Sequence, residues 1–342
     1  MKKTSAWPFL IHTLLLLLAL LLSIAVGSVF IPIKDIFTVF LERFNGNTNL
    51  SKQLQTYTNI IFNLRLPRTF LVALTGAALA VSGGAYQGLF YNPLADPYLI
   101  GVASGAGLGA ILAITLQWPN SLLGYLAIPA SAFLGALLTV FIVYQLARAG
   151  RSLAVTNLIL AGVAVSAFAS AFTSFLLINA SGEIRRAIVW LMGGSTLVGW
   201  KPVVAVAPYI FIGIIILFLT GYQLNVLQFG EEQAQQLGVH VKKVRNLIII
   251  AATLTTAAAV AFSGIIGFVG LIVPHVIRNL WGNEYQRLLP LSVLAGAFFL
   301  LISDVLARIL MAPQELPVGI ITALFGAPFF LYILKKSKKQ YW

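Results

Sequence analysis

Long apolar runs, repeated along the whole chain, constrain this sequence more than any other feature. A helix needs about 20 apolar residues to cross the roughly 30 Å of hydrocarbon in a bilayer. Runs of that kind recur from Phe9 to Leu334, with short polar breaks between them. Only 9% of the 342 residues are charged, whereas soluble domains carry about 25%. The sequence therefore predicts an all-α integral membrane protein.

Ten spans are predicted from these runs, and residues 1–342 are predicted to form one transmembrane domain. The spans cover residues 9–31, 69–90, 97–117, 121–146, 155–179, 202–222, 246–263, 266–281, 288–308 and 317–334. The eighth is the shortest and contains Pro274. A cleaved signal peptide is the alternative for the first run, because lysines precede it and small residues follow it. The run is long enough to span, however, so a span is the better prediction.

Positive charge predicts the orientation of the spans. The net charge of +13 is scattered between apolar runs, which favours contact with anionic lipid and argues against nucleic acid. If both termini are cytoplasmic, inner segments hold thirteen of the 22 Lys and Arg residues and outer segments hold nine. Since inner loops are enriched in positive charge, both termini are predicted to be cytoplasmic. Arg65 and Arg68 then lie outside, where positive charge needs a separate reason.

Two segments between the spans are too short to cross the membrane but show helical features. Apolar residues recur at helical spacing over residues 33–41, which predicts a helix along the outer interface. The second segment, FGEEQAQQLGVHVKKVR at residues 229–245, has acidic residues suited to a helix N-terminus and Gly238 suited to its end. Composition alone leaves open whether this second segment is a solvated loop or a short docking helix.

Residues for catalysis or energy coupling are scarce in this sequence. It has no G-x-x-x-x-G-K-[S/T] loop for ATP, no cysteine, and only three dispersed histidines. Asp304 is the one carboxylate predicted inside a span, and Arg308 follows at i+4, so a local ion pair is the simplest interpretation. Active transport would therefore draw its energy from a partner. A stand-alone carrier or channel that uses Asp304 stays open, whereas a membrane enzyme lacks a catalytic constellation.

Four blocks of sequence, in order, resemble the permease subunits of bacterial ABC importers for iron–siderophores, haem and cobalamin. The strongest is RLPRTFLVALTGAALAVSGGAYQGLFYNPLADPYLIGVASGAGLGA at residues 65–110. The others are LILAGVAVSA (158–167) with WLMGGS (190–195), EEQAQQLGV (231–239) with GFVGLIVPHVIR (267–278), and DVLARIL with ELPVGIITALFGAPFFLYIL within 304–334. The resemblance covers nearly the whole chain and implies a type II ABC importer permease with about ten transmembrane helices.

The resemblance also implies the partners of the chain. Two permease copies, as a homodimer or with a paralogue, would form the pathway in the bacterial cytoplasmic (inner) membrane. Two ATP-binding cassette subunits would bind from the cytoplasm and use ATP and Mg, so that this chain itself is no enzyme and binds no cofactor. A substrate-binding protein would deliver a metal chelate from outside. Iron–siderophore is the first expectation for that cargo, and cobalamin and haem are the next.

Particular residues match the functional positions of that family. Arg65 and Arg68, in R-x-P-R, and Arg308, in D-x-x-x-R, match arginines that receive carboxylates of the binding protein. The cytoplasmic coupling helix, expected within about 224–245, is matched at Glu231, Glu232, Ala234, Leu237 and Gly238. An inner gate is matched at Asn92, Leu94, Val155 and Thr156. Val155 departs from the small polar residue expected at its position.

Overall fold

The computed structural model describes residues 6–27, 29–46, 51–116, 122–148, 155–179, 182–194 and 199–338. Within them the regular structure is entirely helical. The α-helices are α1 Trp7–Ala25, α2 Ile33–Phe44, α3 Lys52–Asn59, α4 Leu66–Leu89, α5 Val102–Thr115, α6 Leu122–Ala147, α7 Val155–Asn179, α8 Ile184–Leu191, α9 Trp200–Leu219, α10 Gly221–Leu227, α11 Glu231–Gln236, α12 Val241–Ser263, α13 Val269–Trp281, α14 Tyr285–Ile309 and α15 Val318–Lys338. A π-helical turn, Ile60–Arg65, leads into α4, and a 3₁₀ turn, Pro97–Ile100, precedes α5.

Each predicted span has a helix in the structure, and the all-α membrane architecture is confirmed. Among the described residues seven helices are long and apolar enough to cross a membrane, and they lie in α1, α4, α6, α7, α9, α12 and α14. The helix predicted near residues 33–41 is also present, as α2. The outermost residues at both chain ends, used in predicting the orientation, lie outside the described part.

The third and eighth predicted spans are shorter as helices than the sequence suggested. Helix α5 has 14 residues and α13 has 13. At 1.5 Å per residue, α13 rises about 20 Å, so it does not cross the hydrocarbon by itself. The first residues of the predicted span 266–281 instead belong to a non-helical segment, Gly264–Phe268, in which Phe268 has a φ of 69°. Apolar composition continues through this backbone break, which is why hydropathy did not reveal it.

Helix α4 lies at the centre of the bundle. The most apolar 18-residue stretch of this helix is 78% buried inside the protein, whereas that of α7 is 22% buried. Close approach of its neighbours requires small residues, as in many membrane helix pairs. A Cβ atom on Gly76 would lie 2.2 Å from the carbonyl oxygen of Gly296 in α14, and one on Gly83 would lie 2.1 Å from that of Gly270 in α13. The central helix is therefore fixed by backbone-to-backbone contact.

Helices α4 and α14 run antiparallel and define the two ends of the bundle. Arg68, near the start of α4, contacts Asp304, near the end of α14. At the other end, Gly88 of α4 packs against Tyr285, the first residue of α14. We call the first the arginine end, defined by Arg65, Arg68, Asp304, Arg308 and Glu315. We call the second the α11 end, defined by α10, α11 and the turn at residues 91–96.

Candidate functional site

Arg68 binds two carboxylates through one guanidinium group. Its Nε and Nη2 atoms donate to Asp304 Oδ1 at 3.1 and 2.9 Å, and its Nη1 atom donates to Glu315 Oε2 at 2.5 Å. The Asp304 side chain is fully buried, whereas those of Arg68 and Glu315 are 35% and 45% exposed. The planar, multi-donor guanidinium group suits such simultaneous contacts. Arg68 therefore joins a buried negative charge to the solvent-exposed surface.

Asp304 has a second arginine partner on its own helix. Arg308 Nε lies 3.1 Å from Asp304 Oδ2, one turn further along α14. The local ion pair predicted from the i+4 spacing is thus confirmed. The two guanidinium groups compensate the charge that this buried carboxylate brings into the protein. Removing either arginine would leave the carboxylate with less compensation.

Arg65 and Arg308 bind the C-terminal end of α1. The last carbonyl oxygens of a helix lack intrahelical donors and carry partial negative charge, so a cation is stabilising there. Arg65 is only 7% exposed and Arg308 only 5%. The carbonyl oxygens contacted by Arg65 are those of Ile24, Ala25 and Val29, and those contacted by Arg308 are those of Ser23 and Val26. Both arginines therefore fix the point at which the chain leaves α1.

A cleft of about 530 Å³ lies at the arginine end. All five charged residues that define this end contribute to its lining. The cleft also has apolar walls, formed in part by Leu71, Val72, Val189, Ile266, Leu300 and Val318. With three arginines and two carboxylates, the cluster keeps one net positive charge. The cluster as a whole would therefore attract an anionic group that approaches this end.

The three arginines matched by sequence come together in space but differ in their surroundings. Arg65 and Arg68 lie at the start of α4, and Arg308 lies at the end of α14. Only Arg68 presents a substantially exposed guanidinium group, because Arg65 and Arg308 are buried against α1. Their acceptors are mostly backbone carbonyl oxygens far away in the sequence. Residue identity at those positions carries no signal for such contacts, so sequence reasoning missed them.

At the α11 end, Glu231 opens α11 and forms an ion pair with Arg245 of α12. Ala234 is fully buried, whereas Glu232 is exposed and Leu237 is 65% exposed. Gly238 follows with a φ of 82°, a conformation that favours glycine. Composition left a solvated loop and a short helix open for residues 229–245, and the structure has the short helix that the family resemblance implied. It is held by one buried apolar contact and one ion pair, and it leaves an apolar side chain on its outer surface.

The residues matched to the gate lie in two places. The side chain of Asn92 accepts a hydrogen bond from the backbone N–H of Leu94 at 2.9 Å, within the turn that follows α4. Val155 and Thr156 are the first residues of α7, and Thr156 is exposed. Tyr91 lies in the same turn as Asn92. Partial burial, and then the Glu231 carboxylate at the start of α11, raise the pKa of Tyr91. The start of α11 therefore acts electrostatically on the turn after α4.

A polar network that sequence reasoning missed joins α10 to the middle of the bundle. Asn225 in α10 accepts a hydrogen bond from the backbone N–H of Tyr285 at 2.6 Å. The hydroxyl group of Tyr285 lies 3.5 Å from Arg278 Nη2, and Arg278 Nη1 donates to Gln87 Oε1 at 2.8 Å. A buried glutamine in an otherwise small and apolar helix was the one signal in the sequence. The network connects α10, α14, α13 and α4.

The profile of the FecCD transport family matches residues 15–336. The chain belongs to the FecCD transport family. It is 42% identical over 326 residues to the uncharacterized ABC transporter permease protein YvrB of Bacillus subtilis (strain 168), covering 95% of this chain and 92% of that protein. It is 47% identical over 281 residues to the cobalamin import system permease protein BtuC of Halobacterium salinarum, covering 82% and 74%. A solved inward-facing structure, described as a metal-chelate type ABC transporter, superimposes with a TM-score of 0.82 at 32% identity, covering 95% of this chain and 97% of that one.

This FecCD chain is therefore the permease of an ABC importer of the metal-chelate, vitamin B12, haem or iron–citrate type. The resemblance found in the sequence is confirmed at the level of family and architecture. Among the described residues, no group of three or more His, Asp or Glu side chains could hold a metal ion. The arginine end and the α11 end each bring charged and exposed groups of this permease together.

Proposed function

We propose that the arginine end of this permease lies outside the membrane and receives a carboxylate of a substrate-binding protein. The observation that carries this proposal is the Arg68 side chain, 35% exposed beside a cleft whose charged cluster keeps one net positive charge. A guanidinium group there would pair with a carboxylate through two parallel hydrogen bonds and would attract it during approach. The positive charge at Arg68, unexpected outside the membrane, then has a function.

In this proposal Arg65 and Arg308 act indirectly, by holding in place the backbone that surrounds Arg68. Both bind the end of α1, and they set the backbone beside which Arg68 stands. The buried pair of Asp304 with Arg308 in turn orients the Arg68 guanidinium group. All three matched arginines thus serve docking, but Arg68 alone makes the contact.

The α11 end would face the cytoplasm and receive one of two ATP-binding cassette subunits. Glu232 and Leu237 supply exposed surface for that contact, while the ion pair of Glu231 and the burial of Ala234 fix α11 to its own chain. Closure of the ATPase pair on ATP and Mg would displace α11, and Gly238 would mark the far end of the moving helix. This chain would bind no cofactor of its own.

Displacement of α11 would act next on the gate. The Glu231 carboxylate acts electrostatically on Tyr91, in the turn that also holds Asn92 and Leu94, so movement of α11 would change the environment of that turn. Val155 and Thr156, at the start of α7, would complete the gate with a second permease copy or a paralogue. Cargo would then pass into the cytoplasm through the bacterial inner membrane. A metal chelate is the proposed cargo, with iron–siderophore as the first candidate and cobalamin and haem as the next.

The alternative, a stand-alone carrier coupled to an ion at Asp304, has less support. A coupling carboxylate must exchange a proton or a cation during transport. Asp304 is fully buried and is bound by both Arg68 and Arg308. An added cation there would be repelled by two guanidinium groups. Transport that persists without any ATPase, and that is lost in Asp304→Asn, would favour the carrier.

The proposal is tested by capturing both partners on the detergent-solubilised permease. Arg68→Ala is compared with Arg186→Ala, since Arg186 is also a half-exposed arginine with a carboxylate partner, Glu183. We expect Arg68→Ala to weaken capture of the binding protein about tenfold or more while ATPase capture is retained. Arg186→Ala should leave both unchanged. Normal capture of the binding protein by Arg68→Ala would refute the docking role of this arginine.

A further inference from the structure

The two carboxylates bound by Arg68 differ in how firmly they are held. Asp304 is fully buried and shared with Arg308. Glu315 lies in the segment between α14 and α15, and its side chain is 45% exposed. Arg68 therefore has one buried partner, Asp304, and one partner at the surface, Glu315.

Burial decides which of the two contacts can be exchanged. Separating a buried carboxylate from its arginine leaves an uncompensated charge, which is strongly unfavourable. An exposed ion pair contributes little, because water solvates both groups once they separate. Glu315, and not Asp304, is the partner that an incoming carboxylate could replace at Arg68.

The backbone beside Glu315 is fixed independently of this ion pair. The N–H group of Leu316 donates to the carbonyl oxygen of Ala307 at 3.0 Å, which ties the segment to α14. The N–H group of Gly319 donates to the carbonyl oxygen of Met192 at 3.1 Å, which ties the start of α15 to the end of α8. The Glu315 side chain can therefore turn into solvent while its backbone stays in place.

We propose that Glu315 is an internal competitor for the partner's carboxylate at Arg68 and thereby sets the affinity of the permease for its substrate-binding protein. This inference rests on the proposed docking function of Arg68. In the free permease, Glu315 occupies the exposed side of the guanidinium group. On docking, the carboxylate of the binding protein takes that place and Glu315 becomes hydrated. Affinity is lower than Arg68 alone would give, so release of the binding protein is easier.

A purely structural role of Glu315 makes the opposite prediction. If the ion pair served only to fasten the segment between α14 and α15 to α4, its loss would loosen the docking surface. Binding would then weaken. Removal of an internal competitor must instead strengthen binding of the substrate-binding protein. The sign of the change therefore separates the two roles.

The experiment measures the dissociation constant of the purified substrate-binding protein of the same system for the complete permease–ATPase complex in nanodiscs. Glu315→Gln is compared with wild type and with Glu183→Gln. Glu183 is a matched control because it is a partly exposed carboxylate that pairs with Arg186, and it directly precedes α8, the helix that carries cleft-lining Val189. We expect Glu315→Gln to bind about fivefold more tightly, as for loss of an exposed ion pair, and Glu183→Gln to bind like wild type.

Two further variants separate failure of this inference from failure of the docking proposal. Arg68→Ala should bind weakly, and the double variant Arg68→Ala/Glu315→Gln should bind no more tightly than Arg68→Ala, because the competition needs the arginine. Unchanged or weaker binding by Glu315→Gln, with weak binding by Arg68→Ala, would overturn the competitor role and leave docking intact. Wild-type binding by Arg68→Ala would overturn both. Equal tightening by Glu183→Gln would show a general charge effect and would also overturn the competitor role.

Discussion

The side-chain amide of Gln87 donates a hydrogen bond to the carbonyl oxygen of Gly270 at 3.2 Å. That oxygen has no intrahelical donor, because the residue four positions later is Pro274, which lacks an N–H group. The other end of the same amide accepts a hydrogen bond from Arg278. One buried side chain of α4 therefore completes the first turn of α13 and orients an arginine at its last turn.

Replacement of Gln87 by leucine is predicted to destabilise the permease. It would leave the Gly270 carbonyl oxygen without this donor and remove an acceptor from Arg278, at a cost of about 2–3 kcal/mol in the free energy of unfolding. Thermal unfolding in detergent measures the loss. Gln53→Leu is the control, because Gln53 is exposed and its side-chain amide donates to the hydroxyl group of Tyr57 at the surface. A Gln87→Leu protein that unfolds at the wild-type temperature would contradict the prediction.

The span pattern could be predicted because hydropathy depends on local composition. Helix α7 was predicted to cover the residues that it occupies, since an uninterrupted apolar run and its polar flanks fix both ends. The breaks before α5 and α13 could not be predicted in the same way. There the chain stays apolar while the backbone turns, at Gly101 and Phe268, into positive φ.

The charged contacts were only partly predictable, because a sequence reveals neighbours along one helix but not contacts between residues far apart in the chain. Asp304 and Arg308 lie one turn apart, so their pairing follows from helical geometry. The partner of Asp304 on α4, Arg68, is 236 residues away in sequence. The family resemblance placed the arginines at one functional surface. It did not show that two of them are directed at backbone carbonyl oxygens of α1.

Arg65 is predicted to be a stability residue more than a contact residue. Arg65→Ala would remove one donor from each of three carbonyl oxygens near the end of α1 and would empty space beside Gly27. We expect a loss of about 2–4 kcal/mol in the free energy of unfolding. Arg43→Ala is the matched control, since Arg43 is exposed and lies over the ring of Phe62. Thermal unfolding of both variants in detergent compares them.

The outcome for Arg65 also bears on docking. If Arg65→Ala unfolds like wild type but fails to capture the binding protein, then Arg65 contacts the partner directly and our assignment of Arg68 as the sole contact is wrong. The expected result is that Arg65→Ala is less stable than wild type, and that the amount of binding protein it captures falls only in proportion to the fraction of permease that is folded.

The ion pair of Glu231 with Arg245 is predicted to hold α11 in the position that the ATPase recognises. The Arg245 side chain is 11% exposed and that of Glu231 is 42% exposed, so the pair is partly shielded from water. Glu231→Arg and Arg245→Glu would each place like charges together and displace α11. We expect either change alone to reduce ATPase capture about tenfold, and the exchanged pair, Glu231→Arg/Arg245→Glu, to recover part of it.

The control for this exchange is a second ion pair at the α11 end, in which Arg287 Nε lies 3.2 Å from Glu284 Oε2. It lies at the start of α14 and outside α11, so exchanging its charges should leave ATPase capture unchanged. Recovery in the exchanged Glu231–Arg245 pair would show that the contact between these two residues matters, and not the charge that either presents to the ATPase. If the exchanged pair captures no more ATPase than the single variants, Glu231 contacts the ATPase itself. The surface recognised by the ATPase would then extend to the first residue of α11.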